Sequence, residues 1–300
     1  MSEAEKSPVV LSFDVEEHHR IEAAAGLQVA NDLKADYAAR MERSTRGLLD
    51  QLAAAAVPAT FYVVGQIAET HPQLIRAIAA AGHEIGTHSW NHQRVHRFSE
   101  IAFREDVLRS KGVLESVSGQ PVVGYRAPTF SVVRETSWAV DVLAECGLLY
   151  DSSIFPVRHD RYGVPDAPRT PFVVEGLRGS ILELPPVTYR AFGQNLPVAG
   201  GGYFRLFPLG MMRAGIAQLA LSEPQLAMLY FHPWEFDLDQ PRLPLSRVAR
   251  WRTYVGISKS RDRLSELLVR YAGRFRRAID VVESLQPISD RLPRFRLAPS

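Results

Sequence analysis

Cysteine is almost absent from this chain of 300 residues: Cys146 is the only one. A single thiol excludes any disulfide framework within the chain. Its setting, the helix-like run "TSWAVDVLAECG", reads as a core position for a small apolar side chain. Net charge is also scarce. The 35 basic and 33 acidic residues leave +2, so no strong overall field for nucleic acid or an acidic membrane is expected. No apolar run approaches the roughly 18 residues that a membrane span requires. The start, "MSEAEKSPVV", lacks a cationic segment followed by a long apolar one, so no signal peptide is expected. A soluble, cytoplasmic protein is the default expectation. Internal repeats and low-complexity segments are missing too.

The chain does have enough apolar residues, 46%, to bury a large core. Short apolar runs alternate with helical segments. "PVVLSFD", "ATFYVVG", "HEIGTH", "VVGYRAP", "LLYDSS", "GSILELPPV" and "QLAMLYFHPWEF" read as strands, and the segments between the first five and before the last are largely helical. Repeated β–α units with near-continuously apolar strands predict parallel strands covered by helices. About seven such units favour a barrel over an open sheet, and the patterning alone leaves both forms open. Residues 157–172 and 188–204 read as long loops, which in a compact domain are often functional. The Arg-rich tail, Lys259 to Arg296, alternates basic with apolar residues and predicts an amphipathic helix with a solvated face.

Several of these strands end in residues that can do chemistry: Asp14 and Glu16 after the first, His88 and His92 after the third, then Arg126, Asp151 and His232. In parallel β/α folds the C-terminal strand ends share one rim, so distant sequence positions meet there. His88 and His92 are four apart; on one helical turn both imidazoles would point the same way and share a cation. The bare spacing equally describes two solvent-exposed histidines, and His96 extends the run on the same face. Arg126, in "GYRAPTF", is either a carboxylate clamp or a surface residue before a proline turn. His232, in "LYFHPWEF", is either a satisfied rim histidine or a general acid. Trp234 is either a wall for a sugar ring or core. "AGGGYFRL" either brings backbone close to a ligand or is a flexible turn.

Taken together and in this order, "SFDVEE", "HSWNH", "GYRAP", "YDSSIFP" and "LYFH" resemble the polysaccharide deacetylase family, the NodB-homology domains of carbohydrate esterase family 4. The wording of "YRAPTFS", "GGGYFRL" and "YFHPWEFD" is most similar to the branch linked to exopolysaccharide and exosortase loci, which has an extra C-terminal region. The resemblance implies a distorted (β/α) barrel with about seven parallel strands, as one deacetylase domain over 1–300 with a core of about 9–236 and a helical extension of about 237–300. It implies a divalent metal, usually zinc, and removal of N-acetyl groups from an amino-sugar glycan, with no nucleic-acid partner; oligomerisation stays open. On this likeness Asp14 matches the base that activates water, and His88 and His92 match metal ligands. Arg126 matches the arginine that orients the base, and His232 the acid that protonates the leaving amine. The backbone N–H near Thr129 matches an oxyanion donor, and Trp234 stays the candidate wall of the substrate pocket. One departure concerns the metal. The common pattern has adjacent aspartates, and Val15 stands in the second place. Glu16 returns to the face of Asp14 and is assigned the third ligand position, with Glu17, His18 and His19 left on the rim. Some related members with an acid at this later position act on cyclic imides or small amides. An amidohydrolase of a cyclic imide or ureide is therefore the alternative expectation.

Overall fold

The computed structural model describes residues 7–298. The start of the N-terminal stretch in which no signal peptide is expected lies outside them. Twelve strands are present among the described residues: β1 (Val9–Val15), β2 (Thr60–Val63), β3 (Glu84–Thr87), β4 (Gly124–Tyr125), β5 (Tyr150–Asp151), β6 (Phe172–Glu175), β7 (Ser180–Glu183), β8 (Thr188–Ala191), β9 (Gln194–Pro197), β10 (Ala227–Phe231), β11 (Phe275–Arg276) and β12 (Arg294–Arg296). The helices are α1 (Asn31–Ala54), α2 (Gly65–Thr70), α3 (Pro72–Ala80), α4 (Glu100–Ser118), α5 (Trp138–Glu145), α6 (Gly201–Leu206), α7 (Leu209–Leu219), α8 (Arg247–Tyr254), α9 (Ser260–Arg270) and α10 (Ala278–Leu285). No described helix is long and apolar enough to cross a membrane.

Seven strands run parallel in the order β10-β1-β2-β3-β4-β5-β7. Beyond β7 the chain turns onto β10: Val187 donates its N–H to the Met228 carbonyl at 3.0 Å, and Gly200 bridges Tyr230. Those two contacts close the ring into a distorted barrel. Every residue of β1 is buried, because helices cover the outside and side chains fill the inside. Helix α1 turns Tyr37, Met41, Thr45, Leu48 and Leu52 inward at three- to four-residue spacing. Helix α4 starts where the Ser99 hydroxyl accepts the Ala102 N–H and stops at Gly119, whose φ of 71° only glycine adopts easily.

Three parts differ from the sequence-based expectation. Residues 188–204 are no loop: β8 and β9 form a hairpin, and α6 follows. Phe192 and Gly193 both take positive φ, as a two-residue hairpin turn requires, and phenylalanine does not announce that. The glycines of "AGGGYFRL" serve packing: a Cβ on Gly200 would stand 1.6 Å from the Tyr230 carbonyl oxygen. The tail read as a single amphipathic helix is broken into α9 and α10, with Gly273 at φ 79° between them, and adds β11 beside β1 and β12 beside β6.

The tail also seals the base of the barrel. Glu84 and Thr60 sit where β3 and β2 begin. Glu84 accepts the Ile279 N–H at 2.9 Å, and the Thr60 hydroxyl accepts that of Ala278 at 2.8 Å. A buried carboxylate thus meets the positive end of α10. The opposite rim, at the C-terminal ends of the strands, is where the chemistry collects.

Candidate active site

Each of these side chains is delivered by the end of a strand. Asp14 is the sixth residue of β1 and Glu16 follows its end; both are 2% exposed. Arg126 follows β4 and is fully buried, and its guanidinium is fixed on every side. Nη1 donates to Asp14 Oδ1 at 2.7 Å and to the Ser12 hydroxyl at 2.8 Å, while Nε and Nη2 donate to the Ser152 carbonyl and hydroxyl. The Tyr62 ring lies 4.1 Å beneath it. This leaves Asp14 with one oxygen held and the other, Oδ2, directed to His232, 3.9 Å away.

Behind Arg126, Asp151 and Glu183 lie opposite each other on β5 and β7, both fully buried. Burial pushes the Asp151 carboxyl up to about 7 and Glu183 well above its usual range, so the two share a proton. Asp151 accepts the Ser153 hydroxyl, and Ser153 in turn accepts the Ala127 N–H, so the pair anchors the strand that carries Arg126. Asp151 therefore supports the site from behind.

Glu16, His88 and His92 form one cluster, with a ligand atom of each within 4.8 Å of the others. Helical spacing is not what joins the histidines. Residues 88–94 are irregular, and Ser89 and His92 take positive φ of 67° and 62°. The loop folds back so that the two rings lie 5.0 Å apart. His96 stays exposed on a separate turn. His88 Nδ1 lies 2.8 Å from the Arg126 carbonyl; that acceptor makes Nδ1 the donor and frees Nε2. Burial lowers His88 to about 4 and keeps it neutral. Glu16 is pushed up by burial yet held well below the usual carboxylate range by His92.

The donor set fits a divalent cation. Two imidazoles and one carboxylate are a common transition-metal set that leaves coordination positions open. Glu16 Oε2 is buried and meets His92 Nε2 at 2.5 Å without hydrogen-bond alignment, an orphaned acceptor aimed into the cluster.

His232 follows β10 and approaches from the far side, its Nε2 3.8 Å from Glu16 Oε1. Glu235, three residues on, accepts its Nδ1–H at 2.8 Å and its backbone N–H at 3.0 Å. Arg205 of α6 donates to Glu235 at 2.6 Å. Burial works against charging His232, but the Glu235 hydrogen bond wins, with help from Glu16 and Asp14, and raises it to about 9. Trp234 packs its ring between His232 and His18, at 5.4 and 4.7 Å, and its N–H donates to Glu16 Oε1 at 3.2 Å. Thr129, between Arg126 and the aromatic Phe130, takes φ 57°, a strained value for threonine.

Of the neighbours left on the rim, His18 is buried, not exposed. Its Nε2 meets the Tyr254 hydroxyl at 2.8 Å, and burial lowers it to about 3. Glu17 is buried against Arg20. Glu235, Arg205, Ser12 and Ser152 escape a reading of the sequence. Only Glu235 carries a signal, lying three residues after His232 in a turn-forming "HPWE".

Residues 2–150 match the family model for polysaccharide deacetylase. The first half of the chain belongs to the polysaccharide deacetylase family. Residues 152–283 match a second model, described as a domain of unknown function, DUF3473. The chain is 29% identical over 98 residues to a peptidoglycan-N-acetylglucosamine deacetylase of Bacillus cereus, covering 32% of this chain and 36% of that protein. It is 31% identical over 100 residues to a chitooligosaccharide deacetylase of a Bradyrhizobium species, covering 33% and 43%. The matched stretches thus span less than half the length of these relatives. Across the whole chain, a Mycobacterium smegmatis structure assigned to the polysaccharide deacetylases superposes with a TM-score of 0.62 at 23% identity, covering 98% of this chain and 96% of that one. The Puue allantoinase superposes with a TM-score of 0.60 at 16% identity, covering 93% and 90%. Both share the barrel fold with this chain.

Proposed function

We propose that the protein is a metal-dependent N-deacetylase that hydrolyses N-acetyl groups on an amino-sugar-containing glycan or its precursor. The observation that carries this reading is the juxtaposition of two machines on one rim: the Glu16, His88 and His92 cluster, and the Asp14 and His232 pair beside it. Glu16, His88 and His92 would hold the cation, zinc being the usual ion, which when bound supplies Lewis-acid polarisation of the acyl oxygen and acidifies water. Asp14, held by Arg126, accepts the proton of the attacking water through its free oxygen. His232, charged through its bond to Glu235, donates its Nε2 proton to the departing nitrogen. The backbone N–H near Thr129 faces the oxygen that gathers charge in the tetrahedral intermediate. Trp234 orients Glu16 and closes the wall of the site. The products are acetate and a free amino sugar. The catalytic core spans about 9–236, and the extension of about 237–300 closes its base.

The deciding experiment incubates the zinc-reconstituted protein with chitohexaose and, separately, with allantoin or succinimide. Release of acetate with a mass loss of one acetyl group is expected. Ring opening of the ureide or imide with no acetate would replace this reading by an amidohydrolase of the same fold.

The acid role of His232 fixes a pH dependence. A group raised to about 9 is protonated at neutral pH and loses its proton as pH climbs through that value, so kcat/KM should fall on the alkaline side near 9. Glu235→Gln removes the anion that raises it. The alkaline limb should then move toward neutrality, with a loss of roughly tenfold at pH 8 and a smaller one at pH 6. An unmoved limb in a variant that still folds would take the acid role away from His232.

A further inference from the structure

One feature of the molecule is foreign to the overall charge balance. From Gln240 to Arg261 there are six basic residues, Arg242, Arg247, Arg250, Arg252, Lys259 and Arg261, and no acidic one. The stretch lies inside the second matched segment, and α8 is its centre. Arg247, Arg250 and Arg252 are exposed, and none has a carboxylate within ion-pair distance among the described residues. Trp251, between two of them, is 55% exposed, and Val248 one turn earlier is 63% exposed. Some arginines elsewhere on the surface are paired, as Arg178 is with Glu100 and Glu145 and Arg294 with Glu175, but none of those stands in a run without acidic residues like this one.

This helix is wired into the active site. Tyr254, its last residue, meets His18, whose ring packs on Trp234, the side chain that donates to Glu16. Arg205, which holds Glu235 and thereby His232, donates to the Val255 carbonyl at 3.1 Å, just past the helix end. On the other flank, the charge of Arg252 acts on His159 and Tyr203. His159 stacks on Tyr162 at 4.0 Å, and Tyr162 packs on Phe130 beside Thr129. The cationic helix is therefore linked through Tyr254 and His18 to Trp234 and Glu16, and through Arg252 and His159 to the aromatic side chains beside Thr129.

We propose that the glycan bound here is anionic, and that Arg247, Arg250 and Arg252 of α8, with Trp251, hold its acidic groups beside the sugar that reacts. The inference rests on the deacetylase reading and names its substrate class. A planar guanidinium matches a carboxylate or phosphate in two hydrogen bonds, and an exposed indole face stacks on a sugar ring. The anion is either a uronate within the glycan or a phosphate at its reducing end; both present the same oxygens to the helix. A patch that served only to dock on an acidic bilayer would have no need of the contacts that tie α8 to Glu16 and His232.

The test compares the zinc-reconstituted enzyme on three N-acetylglucosamine oligomers: neutral chitohexaose, a uronate-bearing heparosan hexasaccharide, and chitohexaose carrying a reducing-end phosphate. Wild type should prefer one of the two acidic substrates by roughly tenfold or more in kcat/KM, through KM, and the preference should shrink with added salt. In Arg247→Gln/Arg250→Gln/Arg252→Gln the ratio of acidic to neutral kcat/KM should collapse toward one. Arg43→Gln/Arg76→Gln, remote from the opening, should keep it. Direct titration of the same oligomers, followed by Trp251 fluorescence, separates the two ideas. Charge-selective binding without acetate release would uphold the anionic ligand and sink the deacetylase reading. Equal kcat/KM and equal binding for neutral and acidic oligomers would overturn the inference, even if the triple variant failed to fold. So would charge-independent glycan binding alongside capture by phosphatidylglycerol vesicles.

Discussion

Asp14→Asn should lower kcat by about a thousandfold or more while the protein keeps its full complement of metal. Asparagine matches aspartate in size and still offers Arg126 an oxygen, but it cannot take a proton from water. A loss of that size corresponds to about 4 kcal/mol of transition-state stabilisation, which general base catalysis can supply. Metal should remain, because Asp14 is outside the Glu16, His88 and His92 cluster. A second effect accompanies the first. The Arg126 and Asp14 side chains are 0% and 3% exposed, so the substitution strips a buried guanidinium of its counter-charge. Removing one partner of such a pair costs about 3–5 kcal/mol of stability. The activity must therefore be measured well below the variant's melting temperature, with its circular dichroism matched to wild type. Substantial turnover in a folded, metal-loaded Asp14→Asn protein would move the base elsewhere.

The parallel strands were legible because burial on both faces writes itself as unbroken apolar runs, and a run such as Val9-Val10-Leu11 has no other economical use. The rim was legible for the same reason: polar residues that end such runs must lie at one end of the sheet. What escaped was short or conformational. Strands β11 and β12 have two and three residues, too few for any periodicity, and exist only because β1 and β6 offer them an edge. The hairpin of β8 and β9 turns on a phenylalanine with positive φ, which no composition rule anticipates.

The cluster is instructive in another way. His88 and His92 do approach one another, but by a fold-back through left-handed residues rather than one helical turn, so spacing and geometry agree for the wrong reason. Arg205 and Glu235 show the limit of reading along the chain. Their pairing spans thirty residues and two elements, and nothing local in "GGGYFRL" announces a partner for "HPWEF". Yet Glu235, held in place by Arg205, raises the proton affinity of His232, and so part of the chemistry is written only in three dimensions.

The double variant His88→Ala/His92→Ala should lose both the metal and all measurable turnover. Each histidine is prepared for the task differently. His88 is kept neutral by burial and oriented by the Arg126 carbonyl, so its free nitrogen is already aimed before any ion arrives. His92 holds Glu16 by direct contact. With both gone, one carboxylate remains of the cluster, too few donors to hold a divalent ion. Zinc content should fall from about one per chain to background, and the check need not depend on activity: an ion that binds only the folded state raises the melting temperature. Added zinc should therefore stabilise metal-stripped wild type by several degrees and leave the double variant unmoved. Full zinc occupancy in the double variant would place the ion on other ligands. A stabilisation that survives there would say the same, and either result would remove the cluster from the centre of this site.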